Sequence, residues 1–154
     1  MIPVAQKGVE RMTTANKITF PVICFDRHLS RIRRDWDSLV TTTTAGVKNG
    51  MFDNMLVVDS NGKSMRVKSA RKLHGVGLFW GFNPMVGQRI KVELIFDGEP
   101  FFMTVDDVRK RVLASFQKWH GWETRGDFDE LKAAVEKAST VAEIIRLEGI
   151  GDAS

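Results

Sequence analysis

The residues of this 154-residue chain whose types and spacing bear most directly on chemistry are its cations. In the segment from Lys63 to Leu73, the strand alternation that turns Met65 and Val67 inward turns Arg66 and Lys68 outward. Between Gln88 and Phe96, Ile90, Val92, Leu94 and Phe96 share one face, while Arg89 and Lys91 share the other. If these segments pair, their cations form a patch on the sheet face away from the helices, bordered by Arg27, Arg31, Arg33 and Arg34. Such a patch is the footprint of a phosphate-contacting surface, and its affinity for nucleic acid would fall steeply with salt. Glu93 and Ile95 dilute it, and no aromatic pair suited to stacking on bases sits on those strands.

A second group is aromatic. Phe79, Trp80 and Phe82 lie in a segment from 75 to 87 that also carries glycines and a proline. Large aromatic side chains on an exposed loop are the usual anchors of a protein interface. The same side chains can instead fold back and complete a core.

Catalytic and metal-binding patterns are absent from the sequence. His28, His74 and His120 are separated by 46 positions in each interval, far from the close spacing of a structural zinc site. Cys24 shares a strand face with Ile18, Phe20 and Val22, which makes it a small core residue in place of a nucleophile. Asp59-Ser60-Asn61-Gly62 has its glycine too early for a calcium loop and reads as a turn. Gly75, Gly77 and Gly81 do not precede a helix pattern, so they supply no dinucleotide fingerprint. The sequence therefore predicts no catalytic residue, no metal ligand and no cofactor.

The elements that must position these groups can be read from periodicity. Ile18 to Phe25 is β-branched and aromatic and predicts a strand, with Pro21 placing it at an edge or a bulge. The Arg-rich stretch that follows has no legible period. Leu39, Thr43 and Val47 share a helical face, capped at Asp37 or Ser38 and stopped by Asn49-Gly50, although four threonines at 41–44 oppose that helix. Met55–Asp59 and Lys63–Leu73 flank an Asn-Gly turn and predict a hairpin. The strand Gln88–Phe96 should end at Asp97-Gly98-Glu99-Pro100. Three helices follow: one capped by Thr104, one starting near Asp127, and one with a capping box of Thr140 and Glu143 that ends at Gly149. Strands first and helices later predict an α+β fold, with a mostly antiparallel sheet of about four strands and C-terminal helices on one face.

Composition bounds the rest. The chain is 43% hydrophobic and 27% charged, as expected of a globular domain, and its single cysteine excludes an internal disulfide framework. Residues 1–77 carry a net charge of +7 and residues 78–154 a net of −3. No apolar run has the length of a signal peptide core or a membrane helix. The expected organisation is a flexible extension over 1–16, one α+β domain over 17–149 and a short tail over 150–154, in the cytoplasm. The expected function is a non-enzymatic binding domain for a protein partner, through the aromatic loop or the open sheet face. Nucleic-acid binding by the basic face is the alternative, and a small enzyme with a dispersed site is the third reading.

Overall fold

The computed structural model describes residues 18–26, 30–75, 82–83, 87–118 and 128–152. Strand β1 (Val22–Phe25) is buried on both faces, as four consecutive apolar residues require. Pro21 lies just before it and β1 is flanked on both sides, by β2 (Ser30–Arg33) and β4 (Leu56–Val58), so it is not the edge strand its proline suggested. β5 (Lys63–Gly75) and β7 (Gly87–Phe102) form the long hairpin that dominates the sheet, and β3 (Thr41–Thr43) lies along β7. Among the described residues all pairings are antiparallel, and the order is β2-β1-β4-β5-β7-β3, with the two-residue β6 (Phe82–Asn83) pairing with β7.

Among the described residues six strands thus make up the path of the sheet, not about four. The two that periodicity missed are β2 and β3, each at an edge and neither with an alternating apolar pattern. β7 is also longer than expected. Asp97-Gly98-Glu99-Pro100 does not end it but forms an irregularity within it: Ser64 pairs with Phe101 while Arg66 pairs with Asp97. Gly98 takes φ +76° there, and a bulge of this kind accommodates both that glycine and a proline that cannot donate a ladder hydrogen bond. Further register shifts at Val67/Ser69 and Lys72/His74 increase the twist and curl the sheet.

Curling gives the sheet two cores. On its convex side Ile23, Phe25, Leu56 and Val58 pack against α3 (Val105–Lys118), α4 (Phe128–Lys137) and α5 (Val141–Asp152) through Val108, Val112, Phe116, Leu131, Val135, Ile144 and Ile145. These are the C-terminal helices expected on one face. The concave side is not open. Val22, Cys24, Val57, Val67, Ile90, Val92 and Leu94 line it, and Leu39, Val40, Phe52 and Met55 fill it.

The segment between β2 and β4 explains that filling. Its residues make two five-residue helices, α1 (Trp36–Val40) and α2 (Thr44–Lys48), separated by β3. The threonine run breaks the single helix that the apolar spacing predicts, because β-branched residues suit an extended backbone better. Asp35 caps α1 by accepting from Ser38 N, and Thr43 caps α2 by accepting from Gly46 N. At the other end of the chain, Thr104 Oγ1 accepts from Asp107 N at 3.1 Å while Thr104 N donates to Asp107, a reciprocal cap. Thr140 Oγ1 likewise accepts from Glu143 N at 3.1 Å. The helix it opens runs through Gly149 to Asp152, since a glycine inside a helix costs only about 1 kcal/mol.

The β4–β5 connection is built around a buried carboxylate. Asp59 Oδ1 accepts from Asn61 N at 2.8 Å and Lys63 N at 2.9 Å, and its Oδ2 accepts from Thr19 N at 3.0 Å. Gly62 takes φ +85°, so the hairpin forms as expected, with the aspartate and a single positive φ setting its turn.

A polar cleft between the two edges of the sheet

The sheet order leaves β2 at one edge and β3 at the other, and the curl brings them to opposite walls of one cleft. Its volume is about 550 Å³. Asp26, Arg31 and Arg33 line the β2 side; Thr41, Thr42 and Thr43 line the β3 side; Gly46, Asn49, Gly50 and Met51 form the end made by α2 and the turn after it.

Register dictates which side chains face inward. Val22 stands opposite Arg33 and Cys24 opposite Arg31 across the β1–β2 ladder, and directly opposed residues share a face. Val22 and Cys24 belong to the concave core, so both arginines emerge on the concave side at its rim. Ile32, between them, pairs with Ile23 and packs toward the helices. On the facing edge, Thr42 pairs with inward-pointing Ile90 and directs its hydroxyl to Met51 Sδ at 3.6 Å. The approach is close: a Cβ added at Gly46 would lie 2.7 Å from Thr42 Oγ1. Thr41 Oγ1 donates to the Asp37 carbonyl at 2.6 Å, and Thr43 Oγ1 accepts from Gly46 N at 3.1 Å.

Charge in the cleft is predominantly positive. Arg31 Nε lies 3.8 Å from Asp26 Oδ2, and the Arg31 side chain remains 44% exposed. Among the described residues Arg33 forms no ion pair. The two guanidinium-bearing positions are spaced about 6.6 Å apart along the strand, the repeat of alternate residues in an extended chain. On the adjacent strand, burial pushes the Cys24 thiol up to about 12, with Asp26 adding to the rise and Arg33 and Arg31 opposing it. A thiol so held is protonated and unreactive at neutral pH.

Behind β2, on the helix side, lies a buried polar link. Ser30 Oγ donates to Glu148 Oε1 at 2.7 Å and stands 3.0 Å from Ser115 Oγ, joining β2 to α5 and α3. Glu148 is fully buried. Ser115 Oγ also donates to the Val112 carbonyl at 2.7 Å. The edge strand that carries Arg31 and Arg33 is therefore pinned from behind by hydrogen bonds as well as by Ile32.

The residues that the sequence singled out are distributed differently. Arg33 is in the cleft, and Arg34 is exposed just beyond β2. Arg89 and Lys91 stand opposite Thr43 and Thr41 on the outer side of β7, where Lys91 pairs with Asp37 and is largely covered. Arg66 stands opposite Leu56 on the helix side, donates to the Asn54 carbonyl at 2.9 Å, and lines a separate cleft of about 360 Å³ with Arg111 and Asp53. Lys68 is exposed at a register shift of β5. These six cations do not form one face, and the concave side where they were expected is packed with apolar residues. Phe79 and Trp80 lie outside the described residues, as do His28 and His120; Phe82 begins β6, and its side chain is likewise outside them.

Sequence reasoning places Arg31 at the margin of a patch and gives Asp26, the threonines and Asn49 no part in a site. The usable signal was the i, i+2 spacing of Arg31 and Arg33 around Ile32, a strand whose polar face is basic. Among the described residues no group of three His, Cys, Asp or Glu is arranged to hold a metal ion, and no helix is long and apolar enough to cross a membrane. In comparisons with known proteins the chain matches no family model, no curated protein and no solved structure.

Proposed function

We propose that this chain is a small binding domain that captures a carboxylate- or phosphate-bearing ligand in the cleft between β2 and β3. The observation that carries the proposal is the pair Arg31 and Arg33, held on one face of a pinned edge strand and facing the hydroxyl-rich strand Thr41–Thr43 across the cleft. Arginine presents its donors in a planar fork suited to such oxyanions, and a partly enclosed site strengthens the contact. Binding is favoured over catalysis because the thiol beside the cleft is held protonated, while the threonine hydroxyls are engaged with backbone or sulfur groups. A single buried thiol also suits a reducing, cytoplasmic setting. A protein partner fits this reading better than nucleic acid, because the cations are dispersed over several surfaces and the two in the cleft sit beside Asp26.

The test is a backbone amide NMR titration with citrate and with inorganic phosphate. Shifts confined to Arg31, Arg33, Thr41–Thr43 and Asn49, and lost in Arg33→Met, support the assignment. Shifts scattered over the surface, or none at millimolar ligand, overturn it.

A further inference from the structure

We propose that the second cleft, walled by β5, α3 and the turn before β4, is a binding site for a free α-amino acid, with its carboxylate on Arg66 and Arg111 and its ammonium on Asp53. This site is separate from the cleft between β2 and β3 and does not depend on what that cleft binds. Three features of the molecule carry the proposal.

The first is the balance of charge. Arg66 and Arg111 share the cleft with Asp26 and Asp53, two groups of each sign around a volume of about 360 Å³. A ligand of one sign meets an attractive pair and a repulsive pair, so neither a simple anion nor an amine is matched. A zwitterion is matched at both ends. The second is that these charges are held without cancelling one another. Among the described residues Arg66, Arg111 and Asp53 form no ion pair. Arg66 Nη1 donates to the Asn54 carbonyl at 2.9 Å, which fixes its guanidinium beside the residue that follows Asp53. The Arg111 guanidinium carbon lies 6.0 Å from the centroid of the Phe25 ring, in a cation–π contact. Each guanidinium carries five N–H donors, so both arginines keep donors for a carboxylate. Asp53 is set by its turn: its N–H donates to the Gly50 carbonyl at 3.1 Å, Met55 N donates to the Phe52 carbonyl at 3.2 Å, and Asn54 between them takes φ +59°. The third is size. Ligand pockets span about 300–1,000 Å³, and this cleft lies at the small end of that range. A peptide terminus carries only one of the two charges beside its last Cα. Both signs within so small a space therefore select the free amino acid.

The experiment is a backbone amide NMR titration of the whole chain with each common α-amino acid in turn at millimolar concentration. The best binder is then compared with its N-acetyl derivative, which lacks the ammonium, and its carboxamide, which lacks the carboxylate. Shifts at Asp53, Asn54, Arg66 and Arg111 are expected, with affinity lower by about tenfold or more for both derivatives. Arg111→Met and Asp53→Asn, at exposed positions, should each weaken binding by a similar factor, and Arg33→Met should leave it unchanged. The two derivatives leave the protein untouched, so a misfolded variant cannot imitate their effect. If the N-acetyl derivative binds as well as the parent, the cleft is an anion site and the proposal is wrong. If the carboxamide does, it is a cation site and the proposal is equally wrong. Shifts confined to Arg31, Arg33 and Asn49 place the amino acid in the other cleft, which overturns this assignment and leaves the first reading standing. No shift with any amino acid overturns it as well, whatever citrate does between β2 and β3.

Discussion

Arg31 stands directly opposite Cys24 across the β1–β2 ladder, so the wall of the cleft and the buried concave core are neighbours on the same face of the sheet. A charged guanidinium at the rim and a protonated thiol on the strand beside it mark the boundary between the ligand-accessible surface and the concave core. That boundary makes several outcomes measurable.

The Cys24 thiol is raised from an ordinary value of 9.0 to about 12. A group whose folded-state value is raised stabilises the fold fully below its unfolded value and loses that contribution as pH climbs through the folded one. Denaturant midpoints of the native protein should therefore be unaffected by this group up to about pH 9 and decline between there and pH 12. Cys24→Ala should lose that component of the alkaline decline, though it begins from a lower midpoint because of the cavity it leaves. Equal slopes in the two proteins between pH 9 and 11 would show that the thiol titrates normally.

Glu148 anchors β2 to the helices through Ser30. Glu148→Ala removes a fully buried acceptor and should destabilise by about 2–4 kcal/mol, read from urea midpoints. Glu148→Gln keeps an acceptor oxygen and should cost distinctly less. Because β2 carries the arginine pair, Glu148→Ala should also weaken capture in the cleft, although the residue does not line it.

Two glycines separate backbone strain from crowding. Gly62 and Gly98 both have positive φ, +85° and +76°. A Cβ at Gly62 would meet the Met103 carbonyl at 2.7 Å, whereas one at Gly98 meets nothing within 4 Å. Gly98→Ala should cost about 1–2 kcal/mol from the left-handed conformation alone. Gly62→Ala should cost more, because Gly62 also accepts from Met103 N at 2.9 Å and the junction between the hairpin and α3 must shift. Equal thermal midpoints for the two variants would count against this close approach.

How much of this was legible in the sequence follows from where the apolar residues are. The C-terminal helices declared themselves because Val108, Val112 and Phe116 recur at helical spacing behind a threonine cap, and the β4–β5 hairpin because Asn-Gly punctuates two apolar runs. The edge strands did not. β2 has Ile32 as its sole apolar residue and β3 has none, so their strand character comes from pairing with β1 and β7 and not from their own pattern. The basic face was misplaced for a related reason. Alternation correctly separated Arg89 and Lys91 from Ile90 and Val92, but it cannot reveal that a sheet curls until its concave side becomes a second core. Arg66 alternates with Val67 of that second core and therefore lies on the helix side, opposite Leu56.

The same geometry makes the cleft invisible to local pattern. Its walls come from residues on β2 and on β3 that no pairing joins, at opposite ends of the strand order. Only the sum of twist and bulges along the β5–β7 hairpin brings them face to face.

The most direct test of the central claim is to locate bound citrate by intermolecular nuclear Overhauser contacts in a labelled sample. Contacts from the citrate methylenes to the side chains of Arg31, Arg33 and Thr41–Thr43 are the predicted result. Contacts to the outer side of β5 and β7 or to α3–α5, with none in the cleft, would contradict it.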